Sequence, residues 1–79
     1  MNRNDLLARL DEASIDPRSY DLVEGGKPES YVLRLRDGRW EVFYSERGLQ
    51  SGLRSFDHEV EANMHFFNLV STDPTTRCT

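Results

Sequence analysis

Between Tyr31 and Tyr44 the large apolar side chains fall at every second position, first at Tyr31, Leu33 and Leu35 and then, after Asp37-Gly38, at Trp40, Val42 and Tyr44. A period of two belongs to a strand with one buried face, so this stretch predicts a β-hairpin. Asp-Gly suits a two-residue type I′ turn, because both central residues need positive φ, which glycine takes freely and aspartate tolerates. That turn sets the register. It places Tyr31 opposite Tyr44, Leu33 opposite Val42 and Leu35 opposite Trp40 on one face, with Val32 opposite Phe43 and Arg34 opposite Glu41 on the other. A slip by one residue would carry Arg34 and Glu41 into the core, so the pairing is well specified.

On either side of the hairpin the period changes to that of a helix. From Arg3 to Ser14 the residues Leu6, Leu7, Leu10 and Ala13 share one helical face, while Asp5, Arg9, Asp11 and Glu12 lie elsewhere. Asn2 or Asn4 is suited to cap the start, Asp5 complements the dipole of the first turn, and Pro17 stops the helix from running on. Phe56 to Val70 predicts a second helix, with Asp57 as N-cap, Glu59 and Glu61 in the first turn, and Phe56 set to pack back on Val60 or on the stem of Glu61. Its apolar arc is Ala62, Phe66, Leu69 and Val70, widened by Met64 and Phe67.

Two weaker strands are expected. One is Arg18 to Glu24, followed by the turn formers Gly25 to Ser30; the other is Leu49 to Ser55, where Gly48 and Gly52 point to a bulged or edge position. The elements assemble into a two-layer α+β domain of order α-β-β-β-(β)-α: a three- to four-stranded antiparallel meander with an N-terminal and a C-terminal helix packed on one face. That leaves the other face open. Residues 1–71 form this single domain, and the polar segment 72–79, with Pro74 and no periodicity, is expected to be a flexible tail.

Composition narrows the function more than it identifies it. At 79 residues the chain is near the lower size limit for a self-supporting core, so each large apolar side chain has a structural job. A net charge of −4 argues against nucleic acid as the partner and permits a basic protein. Cys78 is the lone cysteine, which excludes an intrachain disulfide and a multi-cysteine zinc site and fits the cytoplasm. The charged N-terminus lacks the apolar run of a signal peptide, and no stretch is long enough to span a membrane.

No residue pattern points to catalysis or to a cofactor. His58 and His65 are two helical turns apart without a third ligand close by, so they read as solvent-facing helix residues and no metal is expected. Cys78 has no base beside it. Asp57, Glu59 and Glu61 are explained by capping and the helix dipole. The arginines Arg34, Arg36, Arg39, Arg47 and Arg54 are diluted by Glu41 and Glu46, and Trp40 belongs to the core, which argues against a nucleic-acid surface. Val32 with Phe43 on the open face, rimmed by Arg34 and Glu41, has the anatomy of an interface, an aromatic anchor within a polar rim, although a small sheet also uses such pairs for strand propensity.

The run Gly38-Arg39-Trp40-Glu41-Val42-Phe43-Tyr44-Ser45-Glu46-Arg47-Gly48, with Leu53-Arg54-Ser55-Phe56-Asp57-His58-Glu59-Val60-Glu61-Ala62 after it, resembles small immunity proteins encoded beside bacterial polymorphic toxins. The likeness covers roughly the second half of the chain. It implies a non-enzymatic protein that neutralises a cognate toxin domain by stoichiometric binding inside the producing cell. Exposure and position then nominate Val32, Glu41, Phe43, Glu46 and Arg47 as partner contacts. Two alternatives stand beside it: a self-associating module, for instance a homodimer, using the open face or the Leu49 to Ser55 edge, and a small-ligand or nucleic-acid binder using Tyr44, Arg47 and the cleft beside the helices.

Overall fold

The computed structural model describes residues 2–22, 29–47 and 49–76. Helix α1 spans Arg3–Glu12 and starts with a reciprocal capping box: the Asn2 side chain accepts from the Asp5 amide at 2.8 Å while the Asp5 carboxylate receives the Asn2 amide at 3.4 Å. Its far end closes before Pro17 is reached. Ser14 turns left-handed at φ 59°, its amide bonds to the Asp11 carbonyl, and the Ile15 amide bonds to Leu10. Ile15 and Leu10 both enter the core, which completes a Schellman closure. Ser14 is a poor residue for this conformation, so Ser14→Gly is expected to stabilise the fold by about 0.5–1 kcal/mol, read as a rise in melting temperature of a few degrees.

A 3₁₀ turn at Pro17–Ser19, capped by the Asp16 side chain, leads into β1 (Tyr20–Asp21). The remaining strands are β2 (Ser30–Arg36), β3 (Arg39–Glu46) and β4 (Leu49–Phe56), and helix α2 covers Glu59–Thr72. The four strands lie in sequence order, β1-β2-β3-β4. The β2–β3 hairpin pairs in the expected register, from Ser30 with Ser45 through Val32 with Phe43 to Arg36 with Arg39, and Asp37 and Gly38 carry the positive φ values, 52° and 77°, that the turn requires.

Three features qualify or extend the expected meander. The first strand is only two residues long and runs parallel to β2, pairing Tyr20 with Tyr31 and Asp21 with Val32. A two-residue hairpin turn would have made the pairing antiparallel; here eight residues, 22–29, lie between the two strands. The remainder of the expected strand, Val23 and Glu24, lies outside the described residues. Second, β4 is an edge strand as its glycines suggested, with a register shift between Val42 and Tyr44 where Gly52 takes φ 66°. Third, α2 starts one residue later than expected: His58 is its N-cap, with no side-chain cap bond, while Asp57 faces Arg39 at 3.6 Å. Phe56 does not fold back onto Val60; its ring lies against His65, 5.2 Å between centroids.

Both helices pack on one face of the sheet, around Leu6, Leu10, Ile15, Leu33, Val42, Ala62, Phe66 and Val70. Tyr20 meets the Phe66 ring edge-on at 6.5 Å. The core is narrower than the hydrophobic pattern, since Met64 is 53% and Leu35 58% exposed. Residues 72–76 are not a loose tail. Thr72 ends α2, Pro74–Thr76 form a 3₁₀ turn, and Thr76 is buried, donating to the Val70 carbonyl at 2.7 Å while its own carbonyl accepts the Asp16 amide at 2.7 Å. Cys78 lies outside the described residues.

A further tie joins this segment to the sheet. The Tyr31 hydroxyl donates to the Asp73 carboxylate at 2.8 Å, and Asp73 also receives the Thr75 amide and hydroxyl. Burial, and then the bond to Asp73, push the Tyr31 hydroxyl up from 10 to about 12, whereas the Thr75 bonds lead in holding Asp73 below the usual carboxylate value. A tyrosine whose folded pKa is raised adds stability that is full below its unfolded value and is lost as the pH climbs through the folded one. The melting-temperature advantage of the native chain over Tyr31→Phe should therefore fade between pH 10 and about 12. Asp73, shifted the other way, adds stability that disappears as the pH falls below its unfolded value.

Candidate interaction surface

The five nominated contact residues separate into three groups. Val32 and Phe43 do face away from the helices, but they are 0% and 2% exposed, so the expected open apolar pair does not exist. Alternation correctly assigned their face and said nothing about its cover. Ser30, Ser45 and Asp21 on the same side are buried too, and the Arg34 guanidinium lies 4.8 Å from the centre of the Phe43 ring. Glu41 is not a free charge: it accepts from Arg34 Nε at 2.8 Å, with both side chains largely buried. Cross-strand opposition in the hairpin brings this pair together, and the Arg34 guanidinium lies over the aromatic ring.

Glu46 and Arg47 remain exposed, at the turn between β3 and β4. Glu46 pairs with Leu49 across this turn, and Arg47 has φ 51°. The turn continues directly into β4, where every residue from Leu49 to Ser55 is exposed and Leu49 reaches 73%. β4 closes the sheet order, so among the described residues no strand neighbours its outer edge. Exposed backbone donors and acceptors beside apolar side chains are a template for another chain. The weak strand pattern at Leu49 to Ser55 marked this edge in the sequence; the exposure of its leucines became visible only with the fold.

At the other end of the hairpin a cleft of about 310 Å³ lies between the sheet and the starts of both helices, lined by Leu22, Leu33, Leu35, Trp40, Arg3, Glu59 and Asn63 among others. Trp40 is half-buried there, and Asn63, which hydrophobic patterning passes over, is 1% exposed. Tyr44, nominated with the cleft in the ligand-binding alternative, instead packs edge-on against Tyr31 at 4.9 Å and does not line it. His65 is partly buried against Phe56, and that burial, followed by the charge of Arg54, lowers its pKa. Among the described residues no group of three His, Cys, Asp or Glu side chains is placed to hold a metal ion. No described helix is long and apolar enough to cross a membrane.

Compared with known proteins, the chain matches no family model, no curated protein and no solved structure, so what this surface does rests on its own geometry.

Proposed function

We propose that this chain is a non-catalytic inhibitor that binds a cognate bacterial toxin domain in the cytoplasm of the producing cell and neutralises it one to one. The observation carrying this reading is the exposure of Glu46, Arg47 and every β4 residue from Leu49 to Ser55, on a sheet edge that no strand among the described residues covers. A rigid sheet presents this edge with its backbone groups pre-positioned, so a partner strand gains hydrogen bonds with little ordering cost. Glu46 and Arg47 at the turn supply charges for register, and Leu49 and Leu53 supply apolar area. The resemblance of the hairpin and the start of α2 to immunity proteins supports the choice of a toxin as partner. Val32, Phe43 and Glu41 are withdrawn as contacts and belong to the fold.

The reading is tested by co-expressing the chain with the toxic domain encoded next to its gene. Growth should be rescued, and the purified pair should bind with unit stoichiometry by calorimetry. Glu46→Ala or Arg47→Ala should weaken binding about fivefold or more with an unchanged melting temperature. Absence of any such neighbouring toxin, or rescue by a chain that does not bind it, would remove the proposal.

A further inference from the structure

The cleft beside the starts of the two helices takes none of its described lining from the β3–β4 turn or from β4, and that lining is of two kinds. Leu22, Leu33, Leu35 and Trp40 supply an apolar surface, on which Leu33 is buried, Leu22 and Trp40 are half-buried and Leu35 is exposed. Apolar area left in water inside a concavity gains free energy when a ligand covers it. The helices supply charge: Arg3 is the first residue of α1 and Glu59 the first of α2. Both line the same cleft, yet among the described residues neither is in an ion pair, whereas Arg34, also on the lining, is committed to Glu41.

We propose that this cleft binds a single apolar amino acid as the zwitterion, its carboxylate at Arg3, its ammonium at Glu59 and its side chain against Leu35 and Trp40. Size and charge together select this class. A volume of about 310 Å³ stands at the small end of the range for ligand sites, roughly 300–1,000 Å³, which suits one small molecule and not a dinucleotide or a folded peptide.

Charges of both signs on so small a cleft discriminate against a ligand that carries only one. An aromatic acid gains Arg3 and is repelled by Glu59; an aromatic amine gains Glu59 and is repelled by Arg3. A molecule with both charges at one end and an apolar body at the other satisfies all three parts of the lining. Asn63, one helical turn after Glu59 and buried, adds an amide to the same wall. The site shares no contact residue with the proposed toxin-binding edge, so the two stand or fall separately.

Trp40 is the single tryptophan, so its fluorescence reports on the cleft directly. Titration of the full chain with phenylalanine should give a saturable change with a dissociation constant below about 1 mM, and calorimetry should show the same constant with one site. Phenylalanine amide, which lacks the carboxylate, and N-acetylphenylalanine, which lacks the ammonium, should each bind about tenfold or more weakly, and alanine should not bind detectably. Arg3→Gln should weaken phenylalanine about fivefold while improving the amide, and Glu59→Gln should weaken phenylalanine about fivefold while improving the N-acetyl compound. A merely structural role for either residue would not move the two analogues in opposite directions. Circular dichroism melts identify a variant that fails to fold, and the analogue series on the native chain decides the matter without any variant. No saturable signal in fluorescence or heat up to about 10 mM phenylalanine, singly charged analogues that bind as well as the zwitterion, or folded variants with unchanged ligand preference would overturn the proposal and leave toxin binding untouched.

Discussion

Phe43→Ala is expected to cost about 3–5 kcal/mol of folding stability, the range for removing a fully buried aromatic side chain, and so to lower the melting temperature by more than about 10 °C. The hairpin pattern alone suggests a harmless surface substitution with an effect on binding. The structure reverses that because Phe43 is 2% exposed, pairs directly with the fully buried Val32, and carries the Arg34 guanidinium over its ring. Three losses combine: apolar area, the volume left behind, and the platform beneath a charged pair whose side chains have little solvent to turn to. For a domain of this size such a loss is a large part of the total stability. Thermal or urea unfolding of Phe43→Ala, with Phe43→Leu as a milder variant costing less than half as much, provides the check. An unchanged melting temperature would mean that the ring is in water and the second face is bare.

Ending the chain after Thr72 is expected to destabilise the fold by about 2–4 kcal/mol, since it removes several hydrogen bonds and leaves part-buried groups without partners. The deleted stretch contributes the Asp73 carboxylate to Tyr31 and the Thr76 carbonyl to the Asp16 amide and the Ser19 hydroxyl. Together these join the end of α2 to β2 and to the turn before β1, elements far apart in sequence. Thr76→Val, which keeps the shape but removes the hydroxyl's bonds to Val70 and Asp73, should show a fraction of the same loss. Denaturant titration reads both. A truncated chain as stable as the full one would restore the view of this segment as dispensable.

These two results concern the places where one-dimensional pattern and three-dimensional surroundings part company. A polar stretch holding a proline and two adjacent threonines looks like a frayed end, because nothing local shows that a backbone carbonyl will meet an amide sixty residues earlier. Likewise Met64 and Leu35 fit apolar stripes and yet stand exposed, since a stripe is wider than the neighbour that covers it. The candidate contacts suffered most from this. Their strand faces were assigned correctly, but exposure is a property of what lies above a face.

What the sequence determined by itself is everything carried by short-range stereochemistry. Asp37-Gly38 dictates a turn with two positive φ values, the turn dictates which residues of β2 and β3 oppose each other, and Asn2 or Asn4 ahead of Asp5 marks the start of α1, the structure choosing Asn2. Steric limits on φ and hydrogen bonds over three or four residues act within the local chain, so they can be read from it. The tertiary structure alone decided the direction of β1, the burial of Val32 and Phe43, the docking of Asp73–Thr76 and the exposure of Leu49 and Leu53 on β4. Each depends on contacts between segments distant in sequence, whose free energy exists only once the chain has closed around them.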